Sequence, residues 1–339
     1  MRFSIIVPVY NRPQEVEELL ASLCQQTAKD FEVIIVEDGS AIDCKAVCAR
    51  YAEQLDIHYM TKPNGGPSAA RNFGAEHAKG EYLLILDSDI IAPETYIEEI
   101  EKELAHEPAD AFGGPDAAHP DFSPIQKAIS YSMTSFLTTG GIRGGKKKMD
   151  KFYPRSFNLG VRREVFSALN GFDSTMRFGE DIDFSIRIFA NGYRCRLFPQ
   201  AWVYHKRRST FRQFFKQVHN SGIARIHLYQ KYPETLKTVH LLPAVFTVGV
   251  LFLVLLSIVG LCIGNPWIAC LPIALLLVYC LGLAGDCLIR TRSLTVACLA
   301  VIAAFVQLTG YGTGFLRAVW HCLIRKEKDF QAFRKNFYK

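Results

Sequence analysis

The sequence predicts an α/β domain, a mostly parallel sheet flanked by helices, followed by C-terminal transmembrane helices. Three observations carry this. Apolar runs of strand length alternate with helix-period segments through the first hundred residues. Acidic motifs sit at the ends of several of those segments. Beyond residue 240 the chain becomes almost wholly apolar, which lifts the mean hydropathy to +0.09. A length of 339 residues allows one large domain or two smaller ones. The net charge of +6 is too small to indicate nucleic acid, so no nucleic-acid partner is expected.

The elements follow in order. SIIVPV (4–9) is a continuous apolar run, as in a strand buried on both faces. It is too short for a signal peptide, and without an export signal the first 240 residues are expected in the cytosol. Residues 14–25 have helical spacing in Val16, Leu19, Leu20 and Leu23. FEVIIV (31–36) is a second strand, 43–52 a second helix, and IHYM (57–60) a third strand. A helix over 67–78 starts at Pro67, a favourable first-turn residue. YLLILD (82–87) is a fourth strand and 93–104 another helix. Strands separated by helices of about a dozen residues imply right-handed βαβ units. Ligands on such sheets bind at the carboxyl ends of strands, which here carry Asn11, Asp38, Asp87 and Asp89.

From 113 to 157 the periodicity weakens, with one amphipathic helix at 125–137 and a flexible basic stretch before 150. An apolar-rich element (157–166), a helix ending near Asn191 and a strand-like stretch (193–205) complete a domain expected to span 1–235. Residues 241–263 and 266–285 each suffice to span a bilayer, for which about 20 apolar residues are needed. A third stretch, 294–316, is diluted by Gln307 and glycines. Arg290, Arg292 and the basic tail 317–339 all favour the cytosol, so the third stretch is expected to be re-entrant or interfacial. The ten cysteines form no CxxC pair and read as reduced apolar residues.

Four motifs can carry chemistry. Asp87-Ser88-Asp89 offers hard oxygen ligands for Mg²⁺ or Mn²⁺ at a strand exit, though such a motif is equally a polar strand end. Glu37-Asp38-Gly39-Ser40 can accept hydrogen bonds from a base or ribose, or form a turn with a helix cap. Gly179-Glu180-Asp181-Ile182-Asp183 opens a helix whose dipole favours acids, and one acid can serve as general base. His205, followed by Lys206, Arg207 and Arg208, is either a metal ligand beside phosphate-binding cations or a surface histidine.

Taken in order, SIIVPVYNR, FEVIIVEDGS, GGPSAARNFG, AKGEYLLILDSD, NLGVRREVF, GFD with GEDIDFSIRI, and VYH resemble family 2 glycosyltransferases, whose nucleotide-binding domain has the GT-A fold. The resemblance covers about 1–210. It implies a nucleotide-sugar donor, of the UDP type that the family favours, and a divalent cation, Mn²⁺ or Mg²⁺, as cofactor. It places Pro8, Tyr10, Asp38, Arg71 and Asp87 at the donor, and Asp89, Asp87 and His205 around the metal. It makes Asp181 the catalytic base, with Glu180 assisting and, with Asn158, meeting the acceptor. Glu37 stands where the family usually has Asp. The chemistry implied is one inverting displacement by a hydroxyl of a glycan or lipid-linked acceptor. A hydrophobic anchor would hold the domain at the cytosolic face of the cytoplasmic membrane, with membrane lipid as a partner. Lys146–Lys148 either meet anionic headgroups or lie in a solvated loop. Alternatives are a polyprenyl-phosphate sugar synthase, a processive polysaccharide synthase, whose QxxRW motif is missing here, and a non-catalytic scaffold retaining the nucleotide-binding fold.

Overall fold

The computed structural model describes residues 1–117, 119, 121–139, 152–176 and 178–327. Lys146–Lys148, most of the basic stretch before 150 and the end of the basic tail lie outside them. The chain divides into two compact units, Met1–His119 with Lys148–Lys206, and Pro120–Lys147 with Arg207–Lys339.

The first unit begins with β1 (Phe3–Val9), α1 (Pro13–Cys24), β2 (Phe31–Asp38), α2 (Lys45–Tyr51), β3 (Ile57–Lys62), α3 (Pro67–Glu76) and β4 (Tyr82–Leu86). It continues with β5 (Ile90–Ile91), α4 (Tyr96–His106), β6 (Ala111–Gly113) and β7 (Asp116–Ala117). In the second unit, α5 (Pro124–Thr134) and α6 (Phe136–Thr139) come next. The chain then returns with β8 (Asn158–Arg162), α7 (Arg163–Ala168), α8 (Glu180–Ala190), β9 (Cys195–Leu197) and β10 (Val203–His205). The main sheet has the order β3-β2-β1-β4-β8-β6-β9, and a small sheet the order β5-β10-β7. β1 to β4 run parallel, while β8 pairs antiparallel with both β4 and β6. The predicted mostly parallel sheet with flanking helices is therefore present.

The period of two explains why the apolar runs are continuous. Successive side chains leave opposite faces of a strand. Phe3, Ile5, Val7 and Val9 of β1 join Val33 and Ile35 of β2 in one core, against α1 and α4. Ile6, Ile34 and Val36 face a second core that holds Phe166, Phe172, Phe184 and Ile188. A sheet with helices on both faces has no polar side to show. Each fully buried aliphatic or phenyl side chain contributes about 1.5–3 kcal/mol.

Gly114 marks a tight approach in this unit. A Cβ there would collide with the carbonyl oxygen of Ala201, a backbone atom with no rotamer to move. Gly114→Ala is therefore expected to destabilise the protein by about 1–3 kcal/mol, as overpacked cores do. A denaturant midpoint measured beside wild type checks this.

The second unit adds α9 (Phe211–Lys231), α10 (Leu242–Cys262), α11 (Pro266–Thr291) and α12 (Leu294–Ala318), the last continuing as a π-turn to Ile324. The sequence signals are visible at the ends. Ser123 and Gln126 form a capping box for α5, Asn265 caps α11, and Ser293 caps α12. α9, inside the stretch expected to be catalytic, packs with α12 in this unit. Gly222 and Gly314 let the two backbones approach: a Cβ on either would meet main-chain atoms of the other helix.

Among the described residues three helices, Leu242–Cys262, Pro266–Thr291 and Leu294–Ile324, are long and apolar enough to cross a membrane by length and composition. Leu251, Phe252, Val278 and Leu281 are all more than half exposed on the first two, an apolar surface that water does not tolerate at this extent. The third stretch, expected to be re-entrant or interfacial, is a single uninterrupted helix whose glycines lie against neighbouring helices. Asp286, near the end of α11, is satisfied by the Tyr131 hydroxyl at 2.6 Å and by Arg290 at 3.0 Å.

Candidate active site

The strand order sets the place. The chain builds outward from β1 through β2 to β3, then crosses back to lay β4 on the other side of β1. The reversal opens a crevice at the carboxyl ends of β1 and β4, where ligands of open α/β sheets bind. Tyr10, Asn11 and Arg12 leave β1 there, and Asp87–Asp89 leave β4.

The small sheet brings the third group. β5 follows directly on Asp89 and pairs antiparallel with β10, setting His205 opposite Ile90. The imidazole Nε2 thus lies 3.3 Å from Asp89 Oδ1. Phe157 stacks on the ring at 4.6 Å and 27°, fixing its plane. One ligand atom each from Asp87, Asp89 and His205 falls within 4.8 Å of the others. His205 Nδ1, buried, makes no hydrogen bond, with Asp116 Oδ2 4.0 Å away. Two carboxylates and an imidazole fit Mn²⁺, and with water also Mg²⁺. The residues fit a divalent cation. Arg12 pairs with Asp89 Oδ2 at 2.8 Å, so a cationic group already shares this carboxylate.

Arg71 of α3 joins this cluster to the acids of α8. It is 3% exposed, donates from Nη2 to Asp87 Oδ1 at 2.8 Å and from Nη1 to Glu180 Oε1 at 3.0 Å, and lies over the Phe172 ring. Gly179, at φ +81°, turns the chain into α8 so that Glu180 and Asp181 open its first turn. Asp181 Oδ2 lies 3.4 Å from Arg155. Asp183, fully buried, faces away: it pairs with Arg187, which donates to the carbonyls of Leu169 and Gly171. Of the three acids in the motif, this one braces the helix.

Burial, and then the adjacent charge of Asp181, push the Glu180 carboxyl up to about 7 against the opposing pull of Arg71. The sign follows. A raised carboxyl is neutral below that value and charged above it, so a step that needs charged Glu180 gains rate as pH rises through 7. The pH profile of kcat/KM is expected to carry an ascending limb near 7 that Glu180→Gln removes. A profile unchanged in that variant would separate Glu180 from the rate.

The remaining predicted residues are placed less directly. Pro8 lies within β1 and Tyr10 just beyond it, both half-buried. Asp38 is 1% exposed, and its oxygens accept from Lys62 Nζ at 2.8 Å, Gly65 N at 2.8 Å and Gly66 N at 2.7 Å. It thereby ties the end of β2 to the turn before α3. Glu37 accepts from Cys44 N and Ser40, shaping the adjoining loop. Asn158, 2% exposed, accepts from the Tyr96 hydroxyl at 2.7 Å and donates to Ala201 O at 2.8 Å. Its amide braces β8 and does not open to the crevice.

Arg12, Arg155 and Phe157 are the site residues that sequence reasoning missed. Arg12 directly follows a strand end that already carried Asn11, a usable signal. Arg155 and Phe157 lie where periodicity fails, and only the fold brings them to Asp181 and His205.

Comparison with known proteins bears on the family and the fold. The family model described as glycosyl transferase family 2 matches residues 4–169. An uncharacterized glycosyltransferase of Rickettsia conorii is 43% identical over 88 residues, 26% of this chain and 15% of its own length. The chain thus spans less than a fifth of that relative. Succinoglycan biosynthesis protein ExoA of Rhizobium meliloti is 24% identical over 317 residues, 92% of this chain and 93% of its own. Among solved structures, mannosyltransferase PcManGT from Pyrobaculum calidifontis, in complex with GDP-Man and Mn²⁺, matches with a TM-score of 0.57 at 19% identity, over 94% of this chain and 87% of its own. That is a likeness of fold.

Proposed function

We propose that this chain, which belongs through residues 4–169 to glycosyl transferase family 2, moves a sugar from a nucleotide-sugar donor to a hydroxyl of a glycan or lipid-linked acceptor, with inversion, at the cytosolic face of a membrane. One observation carries the reading: Arg71 physically joins the cation-type cluster at Asp87, Asp89 and His205 to the acid pair Glu180–Asp181. A donor-diphosphate site and a proton-accepting site are what a single displacement requires.

Asp87, Asp89 and His205 would hold Mn²⁺ or Mg²⁺, which supplies neutralising charge for a departing nucleoside diphosphate. Arg12 adds positive charge on the same side, within reach of Asp89. Tyr10 and Pro8, at the end of β1, border the nucleoside. Asp38 acts there chiefly through the Gly65–Gly66 turn it holds. Asp181, oriented by Arg155, takes the acceptor's proton as the hydroxyl oxygen attacks the anomeric carbon. The bond to the leaving diphosphate breaks on the opposite face, so one displacement inverts the centre. Glu180 contacts the acceptor, and Asn158 contributes by holding β8 in place.

The three long apolar helices support membrane attachment, and an anchored site suits an acceptor carried on lipid. The name of ExoA, a relative over nearly the whole chain, supports a glycan product. The test is turnover of a panel of UDP-, GDP- and dTDP-sugars by detergent-solubilised protein, with Mn²⁺ or with EDTA. Turnover of one nucleotide class, lost in EDTA, is expected. No turnover or binding of any, in folded protein, would leave the scaffold reading in its place.

A further inference from the structure

A second cluster of metal-ligating side chains lies at the opposite end of the sheet, away from the crevice. Glu32 stands near the start of β2, His58 near the start of β3, and Asp56 just before it. Parallel pairing of β2 with β3, in which Ile34 lies opposite His58, brings them together. His58 Nε2 is 3.1 Å from Glu32 Oε2 and 3.3 Å from Asp56 Oδ1.

The two oxygens of Glu32 differ. Oε1 is fully used, accepting from the Ser4 hydroxyl at 2.6 Å and from Lys79 N at 2.7 Å. Oε2 is buried, faces the cluster and accepts no hydrogen bond. The facing His58 Nε2 is buried as well and makes no hydrogen bond. The Glu32 side chain has no exposure at all, so this oxygen has no water to turn to. Such an arrangement is costly for a carboxylate unless a cation meets it.

The spacing admits a zinc ion. Tetrahedral donors held about 2.0–2.1 Å from Zn²⁺ stand about 3.3 Å apart, close to the two separations seen here. All three ligand atoms lie within 4.8 Å of one another. One imidazole and two carboxylates suit zinc, and the half-exposed Asp56 leaves a side open for water as fourth ligand.

We propose that Glu32, Asp56 and His58 form a structural Zn²⁺ site that clamps the edge strand β3 to β2. The assignment stands apart from the proposed transfer reaction and from its own cation cluster. Zinc is titrated, with a chromophoric chelator as competitor, into the full detergent-solubilised chain carrying Asp89→Ala, which removes the other cluster. Asp56→Asn and His58→Ala are each added to that background. Asp56 is half exposed, so its variant leaves folding intact. The expected result is one tight zinc equivalent in the Asp89→Ala chain, weakened about tenfold or more by either addition. Zinc is also expected to raise the unfolding temperature of the Asp89→Ala chain and not of that chain with Asp56→Asn added. Zinc affinity unchanged by both additions, or no tight equivalent at all, would overturn the site and leave a plain His58–carboxylate ion pair.

Discussion

Asp181→Asn is expected to cut sugar transfer about 10³-fold, within the range of 10² to 10⁴ that general bases contribute, while nucleotide binding stays near wild type. The change is nearly isosteric. It keeps an oxygen for Ile182 N, which the carboxylate accepts from at 2.8 Å, and removes only the capacity to take a proton. Loss of rate with binding retained is what a residue acting on the acceptor produces. The comparison with Glu180→Gln assigns the roles. Glu180 sits at about 7, an appropriate value for a base, but one of its oxygens is already engaged with Arg71. A larger loss in Glu180→Gln than in Asp181→Asn would exchange the two. Near-full activity in Asp181→Asn would favour an acceptor that needs no deprotonation, such as a polyprenyl phosphate.

Arg71→Met is expected to be the most destabilising single change in the site, by about 3–5 kcal/mol, the cost of leaving buried charges without their partner. Arg71 is nearly inaccessible and serves Asp87 and Glu180 together. Methionine fills much of the volume and satisfies neither carboxylate. Arg71→Lys tests the geometry, since one ammonium lacks the planar fork that reaches both acids. Chemical unfolding of the full chain checks both. Wild-type stability in Arg71→Met would mean that the two acids do not depend on this bridge.

Much of the fold was legible because its signals are local. β1, β2 and β4 are buried on both faces and therefore read as unbroken apolar runs. Pro13 and Pro67 open their helices at the first turn. What escaped depends on tertiary pairing. β5, β7 and β10 have two or three residues each, too short for any period to register, yet their pairing carries His205 to Asp89. α9 is long, but it belongs with α12, and spacing alone does not tell which unit a helix joins. At the site, residue types were readable and their commitments were not. Nothing in a GED motif tells that Glu180 meets Arg71 while Asp183 turns inward to Arg187. Nor does NLG tell that the Asn158 amide is spent on Tyr96 and Ala201.

We propose that Asp87, Asp89 and His205 hold a divalent cation that would neutralise the donor's diphosphate. The most direct test is the affinity of UDP and GDP for wild type, Asp89→Ala and His205→Ala, each measured by calorimetry with Mn²⁺ and with EDTA. Mn²⁺ is expected to tighten one nucleotide in wild type, and both substitutions are expected to abolish the gain. Equal affinity with Mn²⁺ and with EDTA in wild type, unaltered by Asp89→Ala, would contradict it.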